Sequence, residues 1–344
     1  MVNRISHYSK FFLVQILLCL PFAALADVLE EPKLSSEFYA KLSVSVVKIL
    51  APAGGKLYAG SGVVVGKEEV LTNCHVVRRS QRITVMKGAL RYPVDSQKVD
   101  IFKDLCLLKA PGLILPAVEL RDPSELRVGN YAYFYGYPGG ADAFFTEGRV
   151  SGLHPYEDSL VIKTTAGFSS GGSGGGLFDS GGRLIGITTF FSAGHSGSYY
   201  ALPSDWLHNL RKRNAEEVDQ ISGLTLWEKD LAEQPVFLQF SQYMEDGNVQ
   251  AALKLTSKWI KKEPKNFDSW LSYGKVLHVL GRNEEAKGAL EKALSYNPLD
   301  ANALFTMANV LALVGDGVNL KKVREALELV DPQGVAEGKC NMAW

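Results

Sequence analysis

Ser169, Ser170 and Ser173 stand among five glycines in the run SSGGSGGGLF, from Ser169 to Phe178. Such a composition suits a flexible linker. It equally suits a tight turn that presents a nucleophilic hydroxyl, because glycine tolerates the backbone angles and close approaches such a turn demands. Serine-based acyl transfer also needs a histidine to take the proton, a carboxylate to orient that histidine, and amide donors for the oxyanion. Between residue 27 and the C-terminal third the histidines are His75, His154, His195 and His208. His75 ends an apolar run in GVVVGKEEVLTNCHVV, where a strand end can hold a side chain firmly at the edge of a cleft. His154 and His195 sit in Gly/Ser-rich surroundings and read as solvated loop residues. Downstream, Asp104 in KDLCLLK opens an apolar strand, either as an orienting carboxylate or as a strand-start turn residue. Asp100 in VDIF is its local competitor.

The elements that must position these groups are β-strands. From about Leu42 to Pro203 short runs rich in Val, Ile, Leu, Tyr and Phe recur between Gly, Pro, Asp and Asn, among them SVSVVKILA, RITVMKG, YAYFYGYP and RLIGITTFF. Many short strands at regular spacing predict an all-β barrel or sandwich. After Pro203 the texture changes, and residues 204–232 read as helix-rich and charged. Further on, Pro264, Pro298 and Pro332 are spaced 34 apart, and Gly247, Gly281 and Gly315 share that period. A 34-residue helix-turn-helix period resembles tetratricopeptide (TPR) repeats over about residues 234–335. Trp270, Gly274, Gly281, Ala286, Ala293 and Pro298 match the repeat offsets in the middle unit.

Composition narrows the function classes. The chain has 344 residues, 46% of them apolar, which suits about two domains with real cores. Lys+Arg and Asp+Glu both number 37, so no charge bias argues for nucleic acid or an anionic membrane surface. At the N-terminus Arg4, His7 and Lys10 precede an apolar run from Phe11 to Phe22, followed by Ala24-Leu25-Ala26. This pattern predicts a signal peptide over residues 1–26, cleaved after Ala26; an uncleaved anchor is the alternative. Of the four cysteines, Cys74, Cys106 and Cys340 would remain, enough for one bridge and one free thiol. No metal-ligand cluster or phosphate loop appears, so no cofactor is expected.

The region from residue 42 to 205 resembles the trypsin-like serine proteases, and within them the HtrA-like branch. The resemblance rests on LTNCHVV around His75, DLCLL after Asp104, the GYP of Gly136-Tyr137-Pro138, EGRVS from Glu147, and GGSGGGLFDSGGRLIGI from Gly171 to Ile187. In that family the nucleophile lies nine residues before a turn glycine; Ser173 plus nine is Gly182, whereas Ser170 misses by three. The resemblance implies His75 as general base, Asp104 as its orienting group, Ser173 as nucleophile, and the amides of Gly171 and Ser173 as oxyanion hole. It places Thr189 near the triad carboxylate and on a substrate-binding strand. Gly167 and the strand near Ser198 to Tyr200 would wall the pocket for the residue before the scissile bond, with Phe190 narrowing the cleft. No carboxylate falls at these positions, which predicts cleavage after uncharged residues. Gly176 replaces the Ala or Pro usual in the family and suggests a looser turn. With the triad so assigned, Cys74 directly precedes the base and Cys106 lies two past the orienting Asp. A disulfide between them and two buried free thiols both fit.

The expected architecture is therefore a multidomain chain: an all-β double-barrel, chymotrypsin-like protease domain over 35–210, a helical connector over 211–233, and an all-α TPR domain over 234–335. The expected function is an exported serine endopeptidase, periplasmic or secreted, acting on protein or peptide substrates. Its repeats would bind a partner or substrate. A scaffold whose protease domain is silent or latent is the competing expectation.

Overall fold

The computed structural model describes residues 35–140, 142–192 and 198–330, with the side chains of 190–192 and 198 outside that set. The expected signal peptide and Cys340 also lie outside it. The chain divides into two compact units, one from Glu31 to Pro235 and one containing the described residues from Val236 onward.

The first unit holds fourteen strands among its described residues. Those of its first half are β1 (Val46–Ala53), β2 (Lys56–Gly66), β3 (Glu69–Thr72), β4 (Thr84–Lys87), β5 (Leu90–Pro93), β6 (Ser96–Asp100) and β7 (Leu105–Lys109). A helix α1 (Ser36–Val44) precedes them, and a single turn α2 (Cys74–Val77) follows β3. Those of the second half are β8 (Tyr131–Gly136), β9 (Phe144–Tyr156), β10 (Ser159–Thr164), β11 (Gly176–Phe178), β12 (Leu184–Ser192) and β13 (Ser198–Pro203). A helix α3 (Trp206–Arg211) and a two-residue strand β14 (Glu216–Glu217) end the unit.

Strands β8 to β13 close a six-stranded barrel in the order β10-β13-β12-β11-β8-β9. The first half departs from the expected second closed barrel. It is an eight-stranded sheet in the order β14-β6-β7-β3-β2-β1-β4-β5, with no ladder between β5 and β6. The chain itself turns that corner at Val94 and Asp95, whose amides donate to Ile83 and Lys109 on either side (3.0 Å each). Each half has its own apolar core, one around Val47, Ile49, Val70, Val85 and Leu108, the other around Phe134, Ile162, Leu177 and Ile185. His154, expected in a loop, lies within β9.

The segment after Arg211 is not the helical connector expected from its charged texture. Apart from β14 and a short 3-10 turn at Leu231–Glu233 it runs irregularly along the eight-stranded sheet. The cause is tertiary. Arg213 pairs with Asp100 at 2.6 Å, Gln81 donates to Asp219 at 3.0 Å, and Glu228 pairs with Arg78 at 2.6 Å. Val218 and Ile221 pack on the first core, and Leu226 is fully buried. These off-segment partners override a weak local helix propensity.

The second unit is all-helical: α4 (Val236–Glu245), α5 (Val249–Lys262), α6 (Phe267–Val279), α7 (Asn283–Tyr296), α8 (Ala301–Leu313) and α9 (Gly317–Val330). Starts at Val249, Asn283 and Gly317 are 34 residues apart, as are those at Phe267 and Ala301, which is consistent with a helical-repeat region. Its core joins successive helices through Leu277, Leu290, Met307, Leu311 and Leu327.

Asp300 caps α8 by accepting from the amide of Ala303 at 2.8 Å, yet it is 1% exposed. Burial pushes its carboxyl up to about 7, against the attraction of Lys275 and with added repulsion from Asp268. A carboxyl raised in the folded state binds its proton more tightly there than in the unfolded chain. Its ionisation therefore costs stability as pH rises from about 4 through about 7. Burial lowers the pKa of the neighbouring Lys275 ammonium, which acts in the opposite sense; on balance the helical unit is expected to melt lower at pH 7.5 than at pH 5, by on the order of 4–8 °C. Asp300→Asn keeps the cap acceptor and should shrink that gap; an unchanged gap in thermal circular dichroism would reject Asp300 as its source.

Candidate active site

Strand β3 delivers the chain to Asn73, and α2 then presents His75 at the strand end. In the β3–β7 ladder Thr72 faces Cys106, which brings the residue just before β7, Asp104, beside α2. Asp104 has a left-handed backbone, φ 52°. Its carbonyl accepts from the amide of Cys74 (3.2 Å) and from Asn73 Nδ2 (3.0 Å). Its carboxylate accepts from the His75 amide at 2.7 Å, His75 Nδ1 at 2.5 Å and Thr189 Oγ1 at 3.0 Å. The Asp104 side chain is fully buried, while that of His75 is 27% exposed. With Nδ1–H held by the carboxylate, the neutral imidazole keeps Nε2 as a free base. Asp100, the sequence competitor, is occupied by Arg213 and by the amide of Lys103.

Thr189 reaches Asp104 because of a bulge. Between β12 and β13 the pairing steps from Thr188–Ala201 to Phe191–Tyr199, one extra residue on β12. The unpaired stretch is turned out of the ladder toward the triad.

Ser173 lies on a loop threaded between the two halves of the unit. The Ser61 amide donates to the carbonyl of Ser173 (2.8 Å), and Ser61 Oγ donates to that of Gly171 (3.1 Å). The Gly139 amide donates to the carbonyl of Ser170 at 2.7 Å. A peptide is planar and trans, so fixing that carbonyl aims the amide of Gly171 the opposite way. Among the described residues neither the Gly171 nor the Ser173 amide has a partner. Gly171 is at φ 88°, and a Cβ there would stand 2.2 Å from the Gly139 nitrogen, so only glycine fits. The Ser173 hydroxyl donates to the carbonyl of Thr189 at 2.9 Å. A hydroxyl has one proton to give, so in this arrangement His75 does not receive it.

Gly176 does not loosen the turn. It is buried in β11, and a Cβ there would meet the Phe178 ring at 2.2 Å. Cys74 and Cys106 form a disulfide, Cα atoms 5.0 Å apart, which staples the segment of the base to that of its carboxylate. It closes a loop of 32 residues. Its loss in a Cys74→Ala/Cys106→Ala chain is expected to cost on the order of 3–4 kcal/mol, read from urea unfolding of the β unit. A difference under about 1 kcal/mol would count against it.

His75, Ser170, Ser173 and Thr189 face one cleft of about 440 Å³. Gly167 does not line it; the Tyr199 ring stands 3.3 Å from where its Cβ would be, and its carbonyl accepts from Thr146 Oγ1 at 2.8 Å. Phe190 and Ser198 fall on β12 and β13, but their side chains lie outside the described residues. The cleft has another wall that the sequence did not announce: Trp227 and Glu228 of the segment after β14. The Trp227 ring stands edge-on to the His75 ring, centroids 6.1 Å apart. Glu228 makes a two-pronged pair with Arg78 (2.6 and 2.8 Å), and the guanidinium holds its carboxyl down to about 2.

Residues 60–187 match the family model described as "Trypsin-like peptidase domain". A protein named "Probable periplasmic serine endoprotease DegP-like" from Pseudomonas putida (strain W619) is 33% identical over 208 residues, covering 55% of this chain and 43% of its own length. "Periplasmic serine endoprotease DegP" of Salmonella typhimurium is 34% identical over 169 residues, covering 46% and 36%. The chain thus spans less than half the length of these curated relatives. The active form of a protease from M. tuberculosis aligns at 23% identity and a TM-score of 0.49, covering 57% of this chain and 92% of its own. The β unit therefore contains a trypsin-like peptidase domain whose homologues are HtrA-type, DegP-like serine endoproteases.

Proposed function

We propose that the chain is an exported serine endopeptidase. The observation that carries this reading is the chain of contacts from Thr189 through Asp104 to His75, with Ser173 on the same cleft as His75 and Thr189. When substrate enters, Ser173 turns its hydroxyl from the Thr189 carbonyl toward His75 Nε2. The oxygen attacks the scissile carbonyl carbon as its proton passes to Nε2. The resulting oxyanion is held by the amides of Gly171 and Ser173. The C–N bond then breaks, and His75 hands the proton to the leaving amine. Water, deprotonated by the same imidazole, hydrolyses the acyl-enzyme and restores Ser173.

The periplasmic names of the relatives support export. The 34-residue recurrence of helix starts supports TPR-like repeats that bind a peptide or protein partner. A fluorophosphonate probe tests the catalytic reading. Wild-type protein is expected to carry the adduct on Ser173, located by peptide mass spectrometry. Absence of the adduct would favour a scaffold with a silent protease domain.

A further inference from the structure

Beyond His75 the cleft runs on into an outer groove of about 610 Å³, the two sharing Tyr58, Arg78 and Arg79. The inference rests on the endopeptidase reading. In that reaction His75 protonates the leaving amine, so the leaving half of the substrate passes on the side of His75 and the residues that follow it in the chain. Arg78 and Arg79 are those residues, and they differ in one respect. Arg78 is neutralised by the two-pronged contact with Glu228. Arg79 is exposed and has no carboxylate partner among the described residues. It is nonetheless held in place, donating to the Tyr58 hydroxyl at 2.9 Å and lying over the Tyr58 ring at 5.3 Å. The Gln220 side chain donates to its carbonyl, and the Ile221 amide donates to that of Arg78. Lys56, at the hairpin between β1 and β2, adds a second cation, and no carboxylate lines the outer groove among the described residues. A positioned guanidinium in a groove that also holds Lys56, with the Glu228 carboxylate of the adjoining cleft committed to Arg78, is complementary to an anionic peptide.

We propose that this groove binds an acidic leaving half of the substrate, with Arg79 as the residue that selects it. The test uses the full chain as Ser173→Ala, which binds without turnover. Fluorescein-labelled peptides share an apolar N-terminal half and carry paired Glu, Gln or Lys in the C-terminal half; anisotropy reads their affinities. The Glu peptide is expected to bind about three- to tenfold more tightly than the Gln peptide at low salt, with the preference shrinking as salt rises. Arg79→Gln should remove most of the preference, and Arg79→Glu should reverse it toward the Lys peptide. Equal affinities for Glu and Gln peptides, a preference that survives Arg79→Glu, or no binding by any of the three would overturn the inference. Failure of the endopeptidase reading shows separately, as absence of the fluorophosphonate adduct on the wild-type chain.

Discussion

Replacing Ser173 by alanine is expected to lower kcat by about six orders of magnitude, with the fold intact. The only hydrogen bond its hydroxyl donates in this structure goes to the Thr189 carbonyl, so the substitution removes one contact of modest weight. The loop is held by its backbone, through Ser61 and Gly139 on either side. Melting should therefore be unchanged while chemistry is lost. What survives should be the roughly 10³–10⁴-fold advantage over water that binding and the oxyanion hole supply. Because nucleophile and base act as a unit, His75→Ala added to Ser173→Ala should cost little more than either alone. The measurement is kcat on a fluorogenic peptide with an uncharged residue before the scissile bond. A fall of less than about a thousandfold would reject Ser173 as nucleophile.

The glycine run was legible as a tight turn rather than a linker because glycine alone adopts a left-handed backbone and a close approach freely. Gly171 must take φ 88° against the Gly139 nitrogen, and no other residue fits. His75 and Asp104 were legible for a similar reason: each sits where a strand begins or ends, and the β3–β7 register joins them. The competition between Asp104 and Asp100 could not be resolved from the residues alone. It depends on Arg213, which lies 113 residues further along the chain and occupies Asp100. Trp227 and Glu228 were hidden for the same reason. Their segment has the charged composition of a solvated helix, and only its distant partners, Arg78, Asp100 and Gln81, draw it out along the sheet. The helical unit was legible through its 34-residue period, which reports a packing repeat. The family resemblance had put Gly167 and the strand near Tyr199 on one wall, and the Tyr199 ring stands 3.3 Å from where a Gly167 Cβ would be.

Asp104→Asn is expected to lower kcat by about four orders of magnitude while Ser173 stays in place. Asparagine is nearly the same size and tolerates the left-handed backbone of this position, φ 52°, better than most residues. Its amide oxygen can still accept from the His75 backbone amide, as Oδ1 of Asp104 does at 2.7 Å. The other atom decides the outcome. Where Asp104 Oδ2 accepts from His75 Nδ1 at 2.5 Å, an amide nitrogen has only hydrogens to offer. Nδ1 must then become an acceptor, which moves the ring proton to Nε2. That is the atom required to take the proton of Ser173, so the base is blocked. Thr189 Oγ1 can rotate to accept from the new amide, so the buried site remains hydrogen-bonded. The loss should therefore appear in kcat with KM little changed. The strongly deshielded proton of a carboxylate-bound Nδ1–H should also vanish from the proton NMR spectrum of the variant. A merely structural role for Asp104 predicts instead a lowered melting temperature and an unaltered imidazole tautomer in whatever fraction stays folded.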